Sequence, residues 1–290
     1  MSSITEKPKP LNAFEYYIVC WLAKSAAVTG FQPYLYLKNS KQALATENAV
    51  KPIKIQWSKL YHGVGPNYLN AFLFAGMGAI NGGVKNWMSG GDHSKLTQMQ
   101  MLGISIGASA IGCIPWCGLD LAILQTQLRN KEAPKKISPL QICREMYRER
   151  GWKFLFRGLI PTFGREMPFG VSLLYCGPAL DSYINTKLQD KVENEYVRKM
   201  ISKIGSSTGV GFAMAGGTQW VDVIKTTVQK DWNAKKYAGS IDAINAIHAK
   251  GGLGAFFTGL SHRLKIVVIA NLVINVTTEV LTKAIQKHKA

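Results

Sequence analysis

Three stretches without any charged side chain limit what this chain can fold into. They cover residues 63–84, 96–119 and 204–221. A helix needs roughly 20 mostly apolar residues to cross the hydrocarbon core of a bilayer. Three shorter apolar windows with few charges around them follow the same pattern at residues 14–37, 167–180 and 266–278. Buried helices of soluble proteins rarely lack charge all round, so the sequence predicts an all-α membrane protein with six transmembrane helices.

The charged residues are sorted between the two ends of these predicted helices. Lys and Arg number 35 against 17 Asp and Glu, a net charge of +18. The segments 38–59, 129–157 and 225–250 carry net charges of +4, +6 and +3, whereas 85–95 and 181–203 carry +1 each. Because loops that remain on the inner side retain positive charge, we expect the three basic loops on one face and both termini on the other.

This arrangement excludes two classes of function. A nucleic-acid-binding protein would interleave basic and aromatic residues on one solvated surface, so no nucleic-acid partner is expected. No Ser-His-Asp, metal-ligand or phosphate-loop pattern is visible, and Cys113 and Cys117, one helical turn apart, lack the spacing of a metal site. The sequence therefore predicts neither an enzyme nor a metal or cofactor site.

A unit of two helices occurs three times along the chain. An aromatic-x-Gly turn precedes each even helix, and a glutamine stands near the end of each odd helix. The turns end at Gly63, Gly158 and Gly259, and the glutamines are Gln42, Gln127 and Gln229. The same order of features three times predicts a single domain over residues 1–290, with repeats at approximately 13–95, 96–192 and 193–290.

Units two and three each predict a short amphipathic helix in the basic loop. In unit two, Ser138 is the predicted N-cap, with Pro139 at the first helical position. The predicted apolar faces consist of Leu140, Cys143 and Met146 in unit two and Ile241, Ile244 and Ile247 in unit three. Such helices lie along a membrane surface. Unit one has a shorter loop, so its surface helix should be shortened or missing.

The repeat resembles the mitochondrial carrier family, whose members carry P-x-[DE]-x-x-[KR] and a following Gln on the odd helices. Residues 156–169, FRGLIPTFGREMPF, are very similar to the family's even-helix entry. Unit three departs at Trp220, where the family has Pro. The resemblance covers nearly the whole chain. It implies three pseudo-threefold repeats with surface helices on the matrix side, and solute transport across the mitochondrial inner membrane.

In this family the motif residues form a ring of ion pairs that closes the matrix side. Carried over by position, the ring pairs Asp120 with Lys225 and Asp222 with Lys38, and places Leu35 opposite Ile123. Both charges of the third pair are absent together. Losing one partner of a buried ion pair costs about 3–5 kcal/mol, whereas replacing both by apolar residues is often neutral.

A second ring on the even helices, which closes the opposite side in the family, is almost absent. Glu279 holds one acidic position, but the other acidic positions and the positions of the bases fall on Gly83, Asn86, Pro178, Asp181 and Thr282. Because two acids without bases cannot form a ring of ion pairs between helices, we expect no such ring at this end, and a matrix side that stays shut.

The family's substrate-contact positions correspond to Asn70, the pair Arg165 and Glu166, and Ile266. An Arg–acid pair resembles members that transport amino-acid-like substrates, because the Arg can bind a carboxylate and the Glu an amine. This implies a small zwitterionic or anionic metabolite. An alternative stays open, in which Arg165 and Glu166 pair with each other or with neighbouring residues.

The aromatic-x-Gly turns resemble the family's cardiolipin sites, where backbone amides at a helix N-terminus hold phosphate. This implies membrane lipids, cardiolipin above all, as partners at Gly63, Gly158 and Gly259. A simple tight turn explains the same glycines. Two functions are left open: a solute carrier, or a transport-poor structural subunit of a larger inner-membrane complex, such as a respiratory complex.

Overall fold

A computed structural model of the chain describes residues 12–43, 57–90, 92, 95–132 and 137–289. Within these residues the structure is helical and contains no strand. The α-helices are α1 (Ala13–Ala43), α2 (Val64–Ser89), α3 (Gln98–Glu132), α4 (Pro139–Arg150), α5 (Leu159–Val171), α6 (Gly177–Lys187), α7 (Glu195–Gly217), α8 (Gln219–Lys230), α9 (Ser240–Gly251) and α10 (Leu260–Lys289). Short 3₁₀-helices cover Trp57–Lys59, Gly151–Phe156 and Leu253–Phe257.

Six long helical segments form a closed ring. A π-helical turn, Ser172–Cys176, joins α5 to α6, and α7 meets α8 at Thr218. Each of these pairs therefore forms one long segment. The helix α1 packs against α2 and α10, α3 packs against α2 and α5, and α7 packs against α6 and α10. The prediction of an all-α fold with six long helical segments is confirmed.

The ring is polar inside and apolar outside. The buried Asn67 donates from Nδ2 to Gln32 Oε1 at 3.0 Å, and the buried Ser105 donates to Asn81 Oδ1 at 3.2 Å. Large aliphatic side chains face outward instead, among them Ile111, Ile114, Leu272 and Val280. Exposed apolar surface on this scale is typical of contact with lipid.

Length and hydropathy alone identify two membrane spans among the described residues, Gln98–Lys131 and Leu253–His288. The sequence predicted six. The other long helices carry polar and charged residues such as Lys24 and Asp222. Because these residues point into the ring, they lower the hydropathy of a helix without contacting lipid.

The surface helices occur as predicted, as α4 and α9. Ser138 is the N-cap residue and Pro139 the first helical residue, although the Ser138 side chain makes no capping hydrogen bond. The predicted faces were partly wrong. Met146 and Ile247 are buried, but Leu140 and Ile241 are exposed.

The inward positions belong to Ile142 and Ala243, which are fully buried. They lie four residues before Met146 and Ile247, on the same side of their helices. The loop of unit one, where a shortened or missing surface helix was predicted, lies mostly outside the described residues.

Candidate functional site

Two ion pairs join the odd helices at the end of the ring that carries α4 and α9, which we call the basic-loop end. Lys38 Nζ of α1 lies 2.9 Å from Asp222 Oδ2 of α8. Lys225 of α8 contacts Asp120 of α3. The side chains of Lys38 and Lys225 are 5% and 3% exposed, so neither charge is balanced by water. These are the partners that the resemblance implied.

The third position of the ring is apolar. Leu35 and Ile123 both line the central cavity rather than the outer surface. Leu35 also packs against the buried group formed by Ala27, Val28 and Phe31. No unpaired charge is left by the absence of this ion pair, so two charged pairs and one apolar position close the basic-loop end.

Arg165 connects the two ion pairs. Its NH1 lies 3.1 Å from Glu166 Oε1, 3.3 Å from Asp222 Oδ1 and 3.7 Å from Asp120 Oδ2. Lys225 Nζ lies 3.6 Å from Glu166. Arg165 and Glu166 therefore pair with each other and also with neighbours, which is the alternative that the sequence left open.

The other predicted contact residues border the same cavity. Asn70 lies near Asp120, with Nδ2 3.4 Å from Oδ1, and Ile266 lines the wall. The cavity encloses about 1060 Å³ including its opening to solvent. Sequence-predicted residues for the gate and for substrate contact are thus brought together in one place.

The three glutamines of the repeat, which we expected to brace the ion pairs of the ring because each follows a motif, make different contacts. Gln42 donates from Nε2 to Asp222 Oδ2 at 2.7 Å. Gln127 instead accepts a hydrogen bond from Asn39, and Gln229 donates to the carbonyl oxygens of Cys117 and Arg157. The ring is braced at Asp222 alone, because each glutamine lies about one turn beyond its ion-pair position and reaches whatever lies across the next helix.

The three glycine turns have the same left-handed conformation, with φ of 82°, 81° and 85° at Gly63, Gly158 and Gly259. A methyl group added at these glycines would lie close to a glutamine of the next unit. The distance to Cγ would be 3.4 Å from Gly63 to Gln127, 3.1 Å from Gly158 to Gln229 and 3.3 Å from Gly259 to Gln42. Packing and backbone conformation therefore account for these glycines. No lipid is needed to explain why they are glycine.

Sequence reasoning missed two cations in the cavity. Lys24 of α1 and Arg263 of α10 both line it. Each is an ionisable residue that lies within a predicted span or just before it. Because a charge inside a membrane is costly, such a residue indicates a functional site. Lys265, the residue before Ile266, is exposed and stands over the Tyr34 ring.

Glu279 pairs within its own helix and not with another one. Lys283 Nζ lies 3.1 Å from Glu279 Oε1, one turn further along α10. Residues four apart share a helix face, so this pair joins no two helices. Asp181 accepts a hydrogen bond from Ser202 of α7 at 2.5 Å. Among the described residues, neither Glu279 nor Asp181 therefore forms an ion pair with another helix.

Comparison with known proteins identifies the family. The model of the mitochondrial carrier protein family matches residues 94–188 and 196–289. The chain belongs to the mitochondrial carrier family. Members of this family are transporters rather than enzymes, and membership places the chain in a mitochondrial membrane. The matched residues cover the second and third units and leave out the first, which has the shorter basic loop.

The curated relatives of this family member are moderately similar. A mitochondrial basic amino acids transporter of Bos taurus is 28% identical over 214 residues, 71% of this chain and 66% of the relative. A mitochondrial carnitine/acylcarnitine carrier-like protein of Arabidopsis thaliana is 26% identical, covering 73% of this chain and 74% of the relative. A mitochondrial glycine transporter of Xenopus tropicalis is 24% identical, covering 62% and 57%. The chain spans just under two thirds of the bovine relative's length.

Proposed function

We propose that this chain transports a small amino-acid-like metabolite, zwitterionic or anionic, across the mitochondrial inner membrane. The central cavity is its substrate site. Arg165 binds the substrate carboxylate, Glu166 receives an amine, and Asn70 contributes a polar contact.

The exposure of Arg165 is the observation that carries this proposal. Its side chain is 24% exposed, against 5% for Lys38 and 3% for Lys225, so Arg165 is the cluster cation that a solute in the cavity can reach. Its planar guanidinium forms two parallel hydrogen bonds with a carboxylate. A substrate carboxylate can therefore replace Asp120, the most distant of the three carboxylates.

Substrate binding at Arg165 is coupled to the ion pairs by shared atoms. The carboxylate of Asp222 contacts the side chains of Lys38, Gln42 and Arg165 at the same time. A substrate that draws Arg165 away removes one of these contacts, and the pair that closes the basic-loop end becomes weaker. This supports a gate formed by Lys38, Asp120, Asp222 and Lys225 with the apolar Leu35 and Ile123, which opens when the substrate is bound.

The names of two relatives support an amino acid as the substrate, although not its net charge. The Bos taurus relative is named a basic amino acids transporter and the Xenopus tropicalis relative a glycine transporter. Amino acids share the carboxylate and the amine that Arg165 and Glu166 would bind.

Exchange in proteoliposomes tests the proposal. We expect uptake of labelled alanine or aspartate by the unaltered protein, and none by Arg165→Ala. Arg198→Ala is the matched control, since Arg198 bonds Asn185 and the carbonyl of Val192 outside the cavity. Nucleotide exchange that is fast and survives Arg165→Ala would overturn the proposal.

A second candidate function is a transport-poor structural subunit of an inner-membrane complex. One observation favours it: the family model does not match residues 1–93. Purification in mild detergent separates the two candidates, because a subunit would co-purify with other chains in fixed ratio and a carrier would not.

We also propose cardiolipin as a bound lipid at Gly63, Gly158 and Gly259. Each glycine lies directly before the N-terminus of an even helix, where free backbone amides favour phosphate. Native mass spectrometry should detect up to three cardiolipins, and a protein without bound lipid would refute this.

A further inference from the structure

The cavity holds more positive than negative charge. Among the described residues that line it, five side chains are cationic and three are carboxylates. Lys38 pairs with Asp222, Lys225 with Asp120, and Arg165 with Glu166. Two cations, Lys24 and Arg263, are left without a carboxylate of their own.

Lys24 contacts aromatic rings, and the carboxylate that attracts it, Glu166, already contacts Arg165 and Lys225. The ammonium nitrogen of Lys24 lies 4.6 Å from the centre of the Phe74 ring and 5.7 Å from that of Phe31. Phe74 in turn stacks on Trp116, with ring centres 6.2 Å apart and planes inclined by 19°. No carboxylate among the described residues forms an ion pair with Lys24.

Arg263 is held by neutral groups. It donates to Thr218 Oγ1 at 2.7 Å and to Gln219 Oε1 at 3.4 Å, where α7 meets α8. The carboxylates that attract Arg263, Asp222 and Glu166, are the ones that Lys38, Arg165 and Lys225 already contact. The described residues that line the cavity therefore keep a surplus of positive charge, five cations against three carboxylates.

An unbalanced cation inside a membrane span is costly and normally marks the path of an ion or substrate. A ring face attracts a cation more weakly than a carboxylate does in the same surroundings, because the ring carries a quadrupole and no net charge. Phe74 and Phe31 can therefore hold Lys24 in place while leaving it able to bind an anion that enters the cavity.

We propose that Lys24 forms a second anion subsite, so that the cavity selects small metabolites with two anionic groups over neutral zwitterions. This inference rests on the proposed function, in which Arg165 binds the first carboxylate. A dicarboxylic amino acid offers a partner to each of these three groups, one carboxylate for Arg165, the amine for Glu166 and the second carboxylate for Lys24. A basic amino acid would bring a further cation next to Lys24, and is disfavoured.

The test compares aspartate with alanine and lysine. Initial uptake into proteoliposomes is measured for each, together with the thermal stabilisation of the detergent-solubilised protein by succinate, aspartate and alanine. The variants are Lys24→Gln, Lys24→Arg and the control Lys265→Gln. Lys265 also stands over an aromatic ring, Tyr34, at 5.9 Å, but it does not line the cavity.

We expect the unaltered protein to prefer aspartate to alanine and to show little uptake of lysine. Lys24→Gln should lower the ratio of aspartate to alanine uptake roughly tenfold, Lys24→Arg should preserve it, and Lys265→Gln should leave it unchanged. Stabilisation by succinate should disappear in Lys24→Gln alone.

The outcomes separate this inference from the proposed function. Uptake of alanine and aspartate with a ratio that Lys24→Gln does not change overturns the second subsite and leaves the transport function standing. Absence of all uptake, with stabilisation by succinate that depends on Lys24, overturns transport and supports the subsite. If the Lys24→Gln protein does not fold, the Lys24→Arg variant decides the question. Loss of the preference for aspartate over alanine in Lys24→Arg, which keeps the positive charge, would contradict a role for that charge.

Discussion

Gly158 lies directly against the side chain of Gln229. A methyl group at Gly158 would stand 3.1 Å from Gln229 Cγ. The same relationship joins Gly63 to Gln127 at 3.4 Å and Gly259 to Gln42 at 3.3 Å. Each turn thus packs on the odd helix of the next repeat, and the third packs on the first. These contacts link the repeats into a ring at the basic-loop end.

Gly158→Ala should destabilise the protein more than Gly90→Ala. Both glycines are left-handed, with φ of 81° and 61°, so alanine costs about 1–2 kcal/mol at either. A methyl group meets nothing within 4 Å at Gly90 but meets Gln229 at Gly158. Thermal unfolding in detergent measures the difference. Equal losses of stability would show that the contact with Gln229 is unimportant.

Asp120→Ala should destabilise the protein far more than Leu35→Ala. Without Asp120, Lys225 is left 3% exposed with only Glu166 at 3.6 Å, and removal of one buried partner costs about 3–5 kcal/mol. Leu35→Ala removes part of an apolar contact and leaves no charge. Denaturant or thermal unfolding gives both values.

Asp120→Ala combined with Lys225→Ala provides the control for that prediction. We expect the double variant to be more stable than Asp120→Ala alone, because no stranded charge remains. A double variant that loses the sum of both single losses would contradict the ion pair.

Asp231→Asn should loosen the loop that follows α8. The Asp231 carboxylate accepts the backbone amides of Lys235, Lys236 and Tyr237 at 3.1, 3.0 and 2.9 Å, and pairs with Arg157 at 3.3 Å. Hydrogen exchange of residues 235–237 should become faster, while the amides of α3 are unchanged. Unaltered exchange in the loop would mean that its order comes from elsewhere.

Both chain termini should face the side opposite the basic loops. The carbonyl of Ala43, at the end of α1, accepts a hydrogen bond from Lys230 at the end of α8. The start of α10 lies beside the same end of α1, since a methyl group at Gly259 would stand 3.3 Å from Gln42 Cγ. Both α1 and α10 therefore have their other ends on the far side. Protease added to mitochondria with a ruptured outer membrane should remove terminal tags and spare α4. Cleavage within α4 in intact inner membranes would contradict this orientation.

The sequence by itself determined the six helical segments and the surface helices α4 and α9. Long charge-free stretches leave a chain few folds other than membrane helices, because unpaired backbone groups are too costly in lipid. The partners in the ring, Asp120 with Lys225 and Asp222 with Lys38, came instead from the resemblance of the repeat to the pattern of the mitochondrial carriers.

Only the tertiary structure decided what the long charged side chains touch. Arg165 reaches three carboxylates from three directions, Lys24 stands over Phe74, and Glu279 pairs within its own helix. The helical period of the sequence shows on which face of a helix a side chain lies. A long side chain such as that of Lys or Arg can still reach several different neighbours from that face. The outcome depends on the charges that other helices bring close, and these are fixed only when the ring closes.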